Sequence, residues 1–369
     1  MVSVRTMKRC ARAPSIVIGF GIAAVLFTAC HSIGPGSVPR DRSDYADSIS
    51  ESWKRQTLLN IVKLRYLDPP IFVDVGQIVA GYQLQMAASV SGNISSERAI
   101  QGNGVTLGGA GTYIDRPTIT YVPLTGNKFI KGLMTPLSPE SVFFMIQSGW
   151  PADGVLFAAL ASLNGLKNQS SSIQGISPAD PDFMKALALI RKIQLSGAVA
   201  LRVKVDPQKQ QSSVLAFRSK DIPPDVLETS HELRRLLKMD PDAEEFRLVF
   251  GSTPANDKEI AVITRSMMQQ MAIMASQVEV PKADVKQGRA APGWDDETQT
   301  TNIFRLIEIK SSGSKPADAF AAIHYRSHWF YIDDHDLRSK RVFSFMMMLF
   351  TLADTGEREN LPLITIPAQ

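Results

Sequence analysis

Cysteine is nearly absent: among 369 residues there are two, Cys10 and Cys30, both at the amino end. From His31 onward the chain has no thiol. It can therefore form no disulfide there, offers no thiolate nucleophile, and cannot hold zinc through cysteine. The Gly-x-Ser-x-Gly elbow of serine hydrolases and the Gly-Lys-Ser/Thr phosphate loop are also missing. "SHELRR" begins like a zincin helix, but Arg235 stands where the second histidine is needed. His231 thus has no i+4 partner and reads as a helix-surface residue. Apolar runs are short. Ser15–Phe27 and Val342–Ala353 both fall below the roughly 20 residues that span a bilayer as a helix. No repeat of solenoid period occurs. The fold must rest on a hydrophobic core, and a 44% hydrophobic composition suffices for one large domain or two.

A basic excess is missing too, once its location is seen. The chain carries 40 Lys+Arg against 36 Asp+Glu, and the four surplus bases are Arg5, Lys8, Arg9 and Arg12. The remainder is balanced and has no dense basic run. That argues against nucleic acid as a partner and against polybasic docking on anionic lipid.

What is present at the amino end has a clear order. A basic stretch is followed by the short apolar run "SIVIGFGIAAVLF" and then by Phe27-Thr28-Ala29-Cys30. Basic, apolar and small-residue segments in that order describe a secretory signal. The ending resembles the lipobox of bacterial lipoproteins, with Phe27 where leucine is usual. The resemblance implies cleavage after Ala29 and acylation of Cys30, the palmitate-type anchor of a lipoprotein. More than one acyl chain gives stable membrane attachment. His31 replaces the aspartate that favours inner-membrane retention, so the resemblance implies the periplasmic face of the outer membrane. The inner membrane's periplasmic face is the less favoured alternative.

The organisation expected is a signal peptide over 1–29, a tether over 30–42, and a helix, β-hairpin and helical region over 43–167. A linker at 168–179 and a carboxyl-terminal α+β domain over 180–369 complete it. "SDYADSISESWKRQTLLNIVKLRYLDPP" reads as a helix, with Trp53, Leu58, Ile61, Val62 and Leu64 on its apolar face and Asp68-Pro69-Pro70 ending it. The period then switches to two. Leu84/Met86/Ala88/Val90 and Val105/Leu107/Gly109 fit the two strands of a long hairpin. Gly102, Gly104, Gly108, Gly109 and Gly111 suggest bulges or close backbone approach. Ser138 with Pro139 opens one helix, "PADGVLFAALASLNGL" reads as another, and Asp180-Pro181 opens a third that Gly197 closes. Farther on, strands alternate with helices without strict βαβ order, and 282–301 reads as a loop. The fold class is α+β: a mixed, mostly antiparallel sheet with packed helices, plus an amino-terminal helix and a long β-hairpin.

The densest polar cluster is "AIHYRSHWFYIDDHD", holding His324, His328, Asp333, Asp334, His335 and Asp336. Its alternation predicts strand–turn–strand with Arg326-Ser327 at the turn. His324 then lies opposite Trp329, and His328 opposite Tyr325. Zinc needs three or four converging donors, so the bland assignment is preferred: Asp334 or Asp336 caps the helix from Leu337. Met267, Met271 and Met274 recur at helical spacing, and Met346, Met347 and Met348 form a second group. Both read as core rather than a thioether copper site. No catalytic residue, metal ligand or cofactor is assigned, and the reading leans away from an enzyme. The segments "WKRQTLLNIVKLRYLDPPIFVDV", "RPTITYVPLTGNKF" and "DDHDLRSKRVFSFMMMLFTLA" make the body similar to large envelope lipoproteins that carry no assigned activity. The expected role is an interaction or scaffold module of the cell envelope, with envelope proteins or further copies of itself as partners. The alternatives are a ring-forming lipoprotein whose hairpin joins a shared pore, and an envelope hydrolase.

Overall fold

The computed structural model describes residues 37–93, 104–125, 127–172, 175–205, 211–218, 222–291, 293 and 305–353. Cys30, the apolar run before it and Gly102 lie outside the described residues. The described chain falls into two compact units. One runs to Ser52 and includes Asp74–Val122; the other holds Trp53–Val73 and the described residues from Pro123 onward.

The first unit takes the opening turns of α1 (Val38–Arg65), a helix that starts inside the stretch expected to be a tether. Each long strand-like run divides in two, at Ala80-Gly81 and at Arg116-Pro117. The strands are β1 (Phe72–Val79), β2 (Tyr82–Asn93), β3 (Gly104–Asp115) and β4 (Thr118–Leu124). β1 pairs with β4 and β2 with β3, as separate two-stranded sheets.

The second unit is layered around one hydrophobic core. Within α1, Leu58, Ile61 and Val62 are fully buried, as the i, i+3, i+4 spacing requires, whereas Leu64 is half-buried and Trp53, also expected on that face, is exposed. The helix ends where Leu67 turns to a left-handed φ of 61° ahead of the two prolines. Asn60 then locks the returning chain, donating to Ile71 O at 2.8 Å and accepting from Ile71 N at 3.0 Å.

Three short helices follow: α2 (Asn127–Met134), α3 (Pro139–Gln147) and α4 (Ala152–Ala159). Ser138 caps α3 by accepting from Ser141 N at 3.1 Å. The expected helix over 151–166 stops early. The chain becomes β5 (Leu160–Leu163), turns at Asn164-Gly165, and returns as β6 (Leu166–Lys167). Asn164 and Gly165 both have positive φ, 46° and 86°, the signature of an Asn-Gly hairpin turn. A residue run that is apolar all round carries no period to separate helix from strand. Past it, Asn168 and Gln169 are buried, and β7 (Ser170–Ser172) pairs with β8 (Gly175–Ser177) where the sequence suggests a linker.

A six-stranded sheet carries the rest of the core, in the order β6-β5-β12-β11-β10-β9. Its remaining strands are β9 (Val199–Val205), β10 (Gln211–Phe217), β11 (Glu245–Phe250) and β12 (Glu259–Thr264). Only β11 and β12 run parallel. Helices α5 (Pro181–Leu195), α6 (Pro224–Leu236), α7 (Met267–Ser276) and α8 (Lys282–Lys286) are interspersed. A second sheet, β13-β15-β14, joins Lys310–Ser312, His328–Asp333 and Ala319–Tyr325 before the final helix α9 (Leu337–Ala353). The architecture is α+β with mostly antiparallel pairing, an amino-terminal helix and a long hairpin, as the sequence indicates. Where the alternation of 303–310 suggests a longer strand, among the described residues 305–310 Ile309 makes a single bridge and β13 begins at Lys310.

Candidate interaction surface

Of the polar residues singled out by sequence, those around the β14–β15 turn form a structural knot. The register is as expected: His324 opposite Trp329 and Tyr325 opposite His328. Arg326 and Ser327 form the turn with φ of 46° and 68°, a conformation that usually calls for asparagine and glycine. The exception has a cause. Arg326 donates from Nη2 to Asp68 at 3.0 Å and lies 4.9 Å from the Tyr66 ring centre. Tyr325 donates its hydroxyl to the same carboxylate, and that bond, with Arg326, holds the Asp68 carboxyl below its ordinary range. Tyr66 in turn donates to Asp284 at 2.8 Å. Asp284, on the short helix α8, is buried inside the segment expected to be a loop. These partners are up to 258 positions apart in sequence, which is why no local signal betrayed them.

The carboxylates downstream are equally committed. Asp336 Oδ1 accepts from Arg338 N and Ser339 N at 3.1 Å and so caps α9; Asp334 instead accepts from Lys340 at 2.7 Å. Asp333 takes Lys310 at 3.2 Å and the backbone N of His335 at 3.0 Å. Among the described residues no three His, Cys, Asp or Glu are placed to hold a metal ion. His231 is half-buried on α6. Met267, Met271, Met274 and Met346 are buried in the core, whereas Met348 is exposed.

Among the described residues, three arginines are buried without a sign of it in the sequence, Arg65, Arg234 and Arg265. Arg265 is 2% exposed and reaches the carboxyl end of α4. It donates from Nη1 to Phe157 O at 2.7 Å and Ala158 O at 3.2 Å, and from Nη2 to Gln169 O. The last carbonyls of a helix lack internal partners and sit at its negative pole. A guanidinium satisfies both needs. Burial pulls its pKa down to about 9, yet the geometry caps a helix rather than binding a ligand.

The surface that lacks an internal explanation is the β2–β3 ribbon. Its register is unbroken from Tyr82↔Asp115 to Asn93↔Gly104, so the glycines mark no bulge. Among the described glycines of the ribbon, Gly108 is crowded: a Cβ there would approach Ser89 Oγ to 2.6 Å. At Gly109 and Gly111 an added Cβ would meet nothing within 4 Å. Rungs alternate in character. Met86 pairs with Gly111, Ala88 with Gly109 and Val90 with Leu107. Between them Gln85 pairs with Thr112, Ala87 with Ala110 and Ser91 with Thr106. Ala87–Gly92 and Gly108–Tyr113 are exposed, Val90 by 74%. At the base, Tyr82 and Tyr113 stack with centroids 6.3 Å apart and planes 18° apart. The Tyr82 hydroxyl donates to Asp41, which lowers the carboxyl's pKa and pushes the phenol up to about 12. An isolated two-stranded ribbon is marginal in water.

The fold and this surface define an α+β protein with a long uncovered ribbon. No protein family, no curated protein and no solved structure matches the chain.

Proposed function

We propose that this chain is a bacterial lipoprotein, acylated on Cys30 and held at the periplasmic face of the outer membrane, that serves as an interaction or scaffold module of the cell envelope. The ribbon Tyr82–Asp115 carries the reading: all its described side chains except the half-buried Tyr82 and Ile114 are exposed, and among the described residues it pairs only with itself. A partner protein or a second copy would supply the packing it lacks. No described helix is long and apolar enough to cross a membrane, which is compatible with attachment through lipid. Purification from membranes in mild detergent, followed by mass measurement and identification of co-purifying chains, tests the assembly. A lone monomer with no companions overturns it. Cys30→Ala should abolish labelling by a palmitate analogue and leave an uncleaved precursor; equal labelling of both proteins refutes the anchor.

One observation favours a second reading. Each strand of the ribbon has 12 residues, and about 9–11 suffice to cross the outer membrane as a tilted barrel strand. A ring of copies would then pool their ribbons into a pore. Conductance in a planar bilayer, lost on Val90→Arg, would select the pore; partner loss without conductance selects the scaffold.

A further inference from the structure

The second unit contains an apolar cavity of about 240 Å³. It lies among α3, α5, α6 and the strands β9, β10 and β12. Its deep wall is Leu163, Ile193, Leu233 and Ile260, each at most 3% exposed. Gln194 is the polar side chain reaching into the buried part, and all its capacity is used. Its Oε1 accepts from Ala152 N and Arg191, and its Nε2 donates to Ile146 O and Trp150 O. No spare donor or acceptor from it faces the space. A ligand seated there must therefore be hydrocarbon along its buried length.

The mouth is marked by the exposed lining residues Gln147, Gly149 and Gly197. Both glycines follow helix ends with positive φ, 102° and 70°, and a Cβ on either would meet nothing within 4 Å. Such backbone favours glycine over any branched residue, so the opening stays free of side chains. Phe144 and Leu195, on the same two helices, are 63% and 70% exposed. They add apolar surface outside the lining. A glycine-rimmed entrance over an apolar interior of this volume suits one hydrocarbon chain better than a folded partner.

We propose that this cavity binds the hydrocarbon tail of a single acyl chain and leaves its headgroup in water at the Gly149/Gly197 mouth. An apolar cavity of roughly 150 Å³ accepts benzene; in proportion, 240 Å³ holds about ten carbons. The site belongs to the second unit alone and is independent of whether the ribbon finds a partner. Its source is either a free fatty acid or one chain of a membrane phospholipid.

Straight-chain fatty acids from six to sixteen carbons, titrated into the full chain purified in a steroidal detergent, test the proposal. Affinity should rise roughly fourfold per methylene and level off near ten carbons. Val199→Phe and Leu201→Trp, which enlarge side chains on the face of β9 that it shares with the lining residues Phe217 and Leu215, should weaken dodecanoate binding at least tenfold. Leu195→Ser, outside the lining, should not. Absence of binding at every length overturns the proposal. So does affinity that climbs through sixteen carbons without levelling, as adsorption to a surface would. Because the chain-length profile needs only wild-type protein, the proposal stays testable if both variants misfold. Mass spectrometry of organic extracts, after incubation with fatty acid or with phosphatidylcholine vesicles, separates the two sources; retention of neither overturns the assignment.

Discussion

The two units of this chain are built on opposite terms. In the second, Phe183, Phe246, Phe330 and Phe343 are fully buried, and buried polar groups such as Arg265 and Asp284 are tied down by partners distant in sequence. In the first, no hydrophobic side chain of described burial is buried; Ser37 alone reaches that class. One unit has the interior that offsets the entropy of ordering a chain. The other has backbone ladders, a tyrosine stack and Asp41, all near water. A region with so few buried contacts sits at the low end of local stability and gains most from being covered. The difference teaches that the buried core lies in one part of the chain and the exposed apolar surface of the ribbon in another.

That contrast breaks if changes in the two units have similar cost. The largest loss is expected from Phe246→Ala, about 3–5 kcal/mol for an aromatic deleted from a packed core, measured by urea unfolding. Arg265→Leu should follow at about 3 kcal/mol, because buried carbonyls at the end of α4 lose their donor. An Arg265→Leu variant with native stability would show that water replaces the guanidinium.

Smaller effects refine the picture through pH. Burial, and then the bond to Asp284, raise the Tyr66 phenol above its ordinary range. A raised folded pKa gives stability that is complete below the unfolded value, about 10 for tyrosine, and is lost as pH rises toward the folded one. The melting temperature of wild type is therefore expected to fall more steeply above pH 10 than that of Tyr66→Phe. Parallel curves would contradict the assignment. Asp68, whose pKa is lowered, acts at the other end: its share is present above the unfolded carboxyl range and disappears as pH falls. Asp336→Ala should cost about 1 kcal/mol by uncapping α9, while His324→Ala and His328→Ala leave any cellular phenotype intact. A stoichiometric metal lost from the histidine variants would revive an enzymatic role.

The smallest effect belongs to the first unit. Val90→Arg is expected to shift unfolding of the isolated chain by no more than about 0.5 kcal/mol, as for other exposed positions, yet to remove co-purifying partners. If it instead destabilises the monomer by several kcal/mol, the ribbon is packed within the chain and the contrast between units is wrong.

Much of the fold was legible because local signals matched it. Ser138-Pro139 and Asp180-Pro181 open helices, Gly197 closes one, and β14–β15 pairs in the register its alternation predicts. The stop of α4 at Ala159 was also signalled, by Asn164-Gly165, but the continuous apolar run beside it hid the change of period. Nothing local announced Arg265 at the end of α4, or the link from Asp68 to Tyr325 and Arg326.

By itself the sequence determined the α+β class, the helix caps, the strand pairing of the two long hairpins and the core placement of Met267, Met271 and Met274. These follow from periodicity and cap chemistry, which act over a few residues. The tertiary structure decided which surface stays uncovered, which cations are buried, and that an apolar space remains beside β9 and α5. Those depend on residues brought together from more than a hundred positions apart, as Arg265 is with Phe157. Their burial, and the carbonyls they satisfy, exist only once the layers have packed.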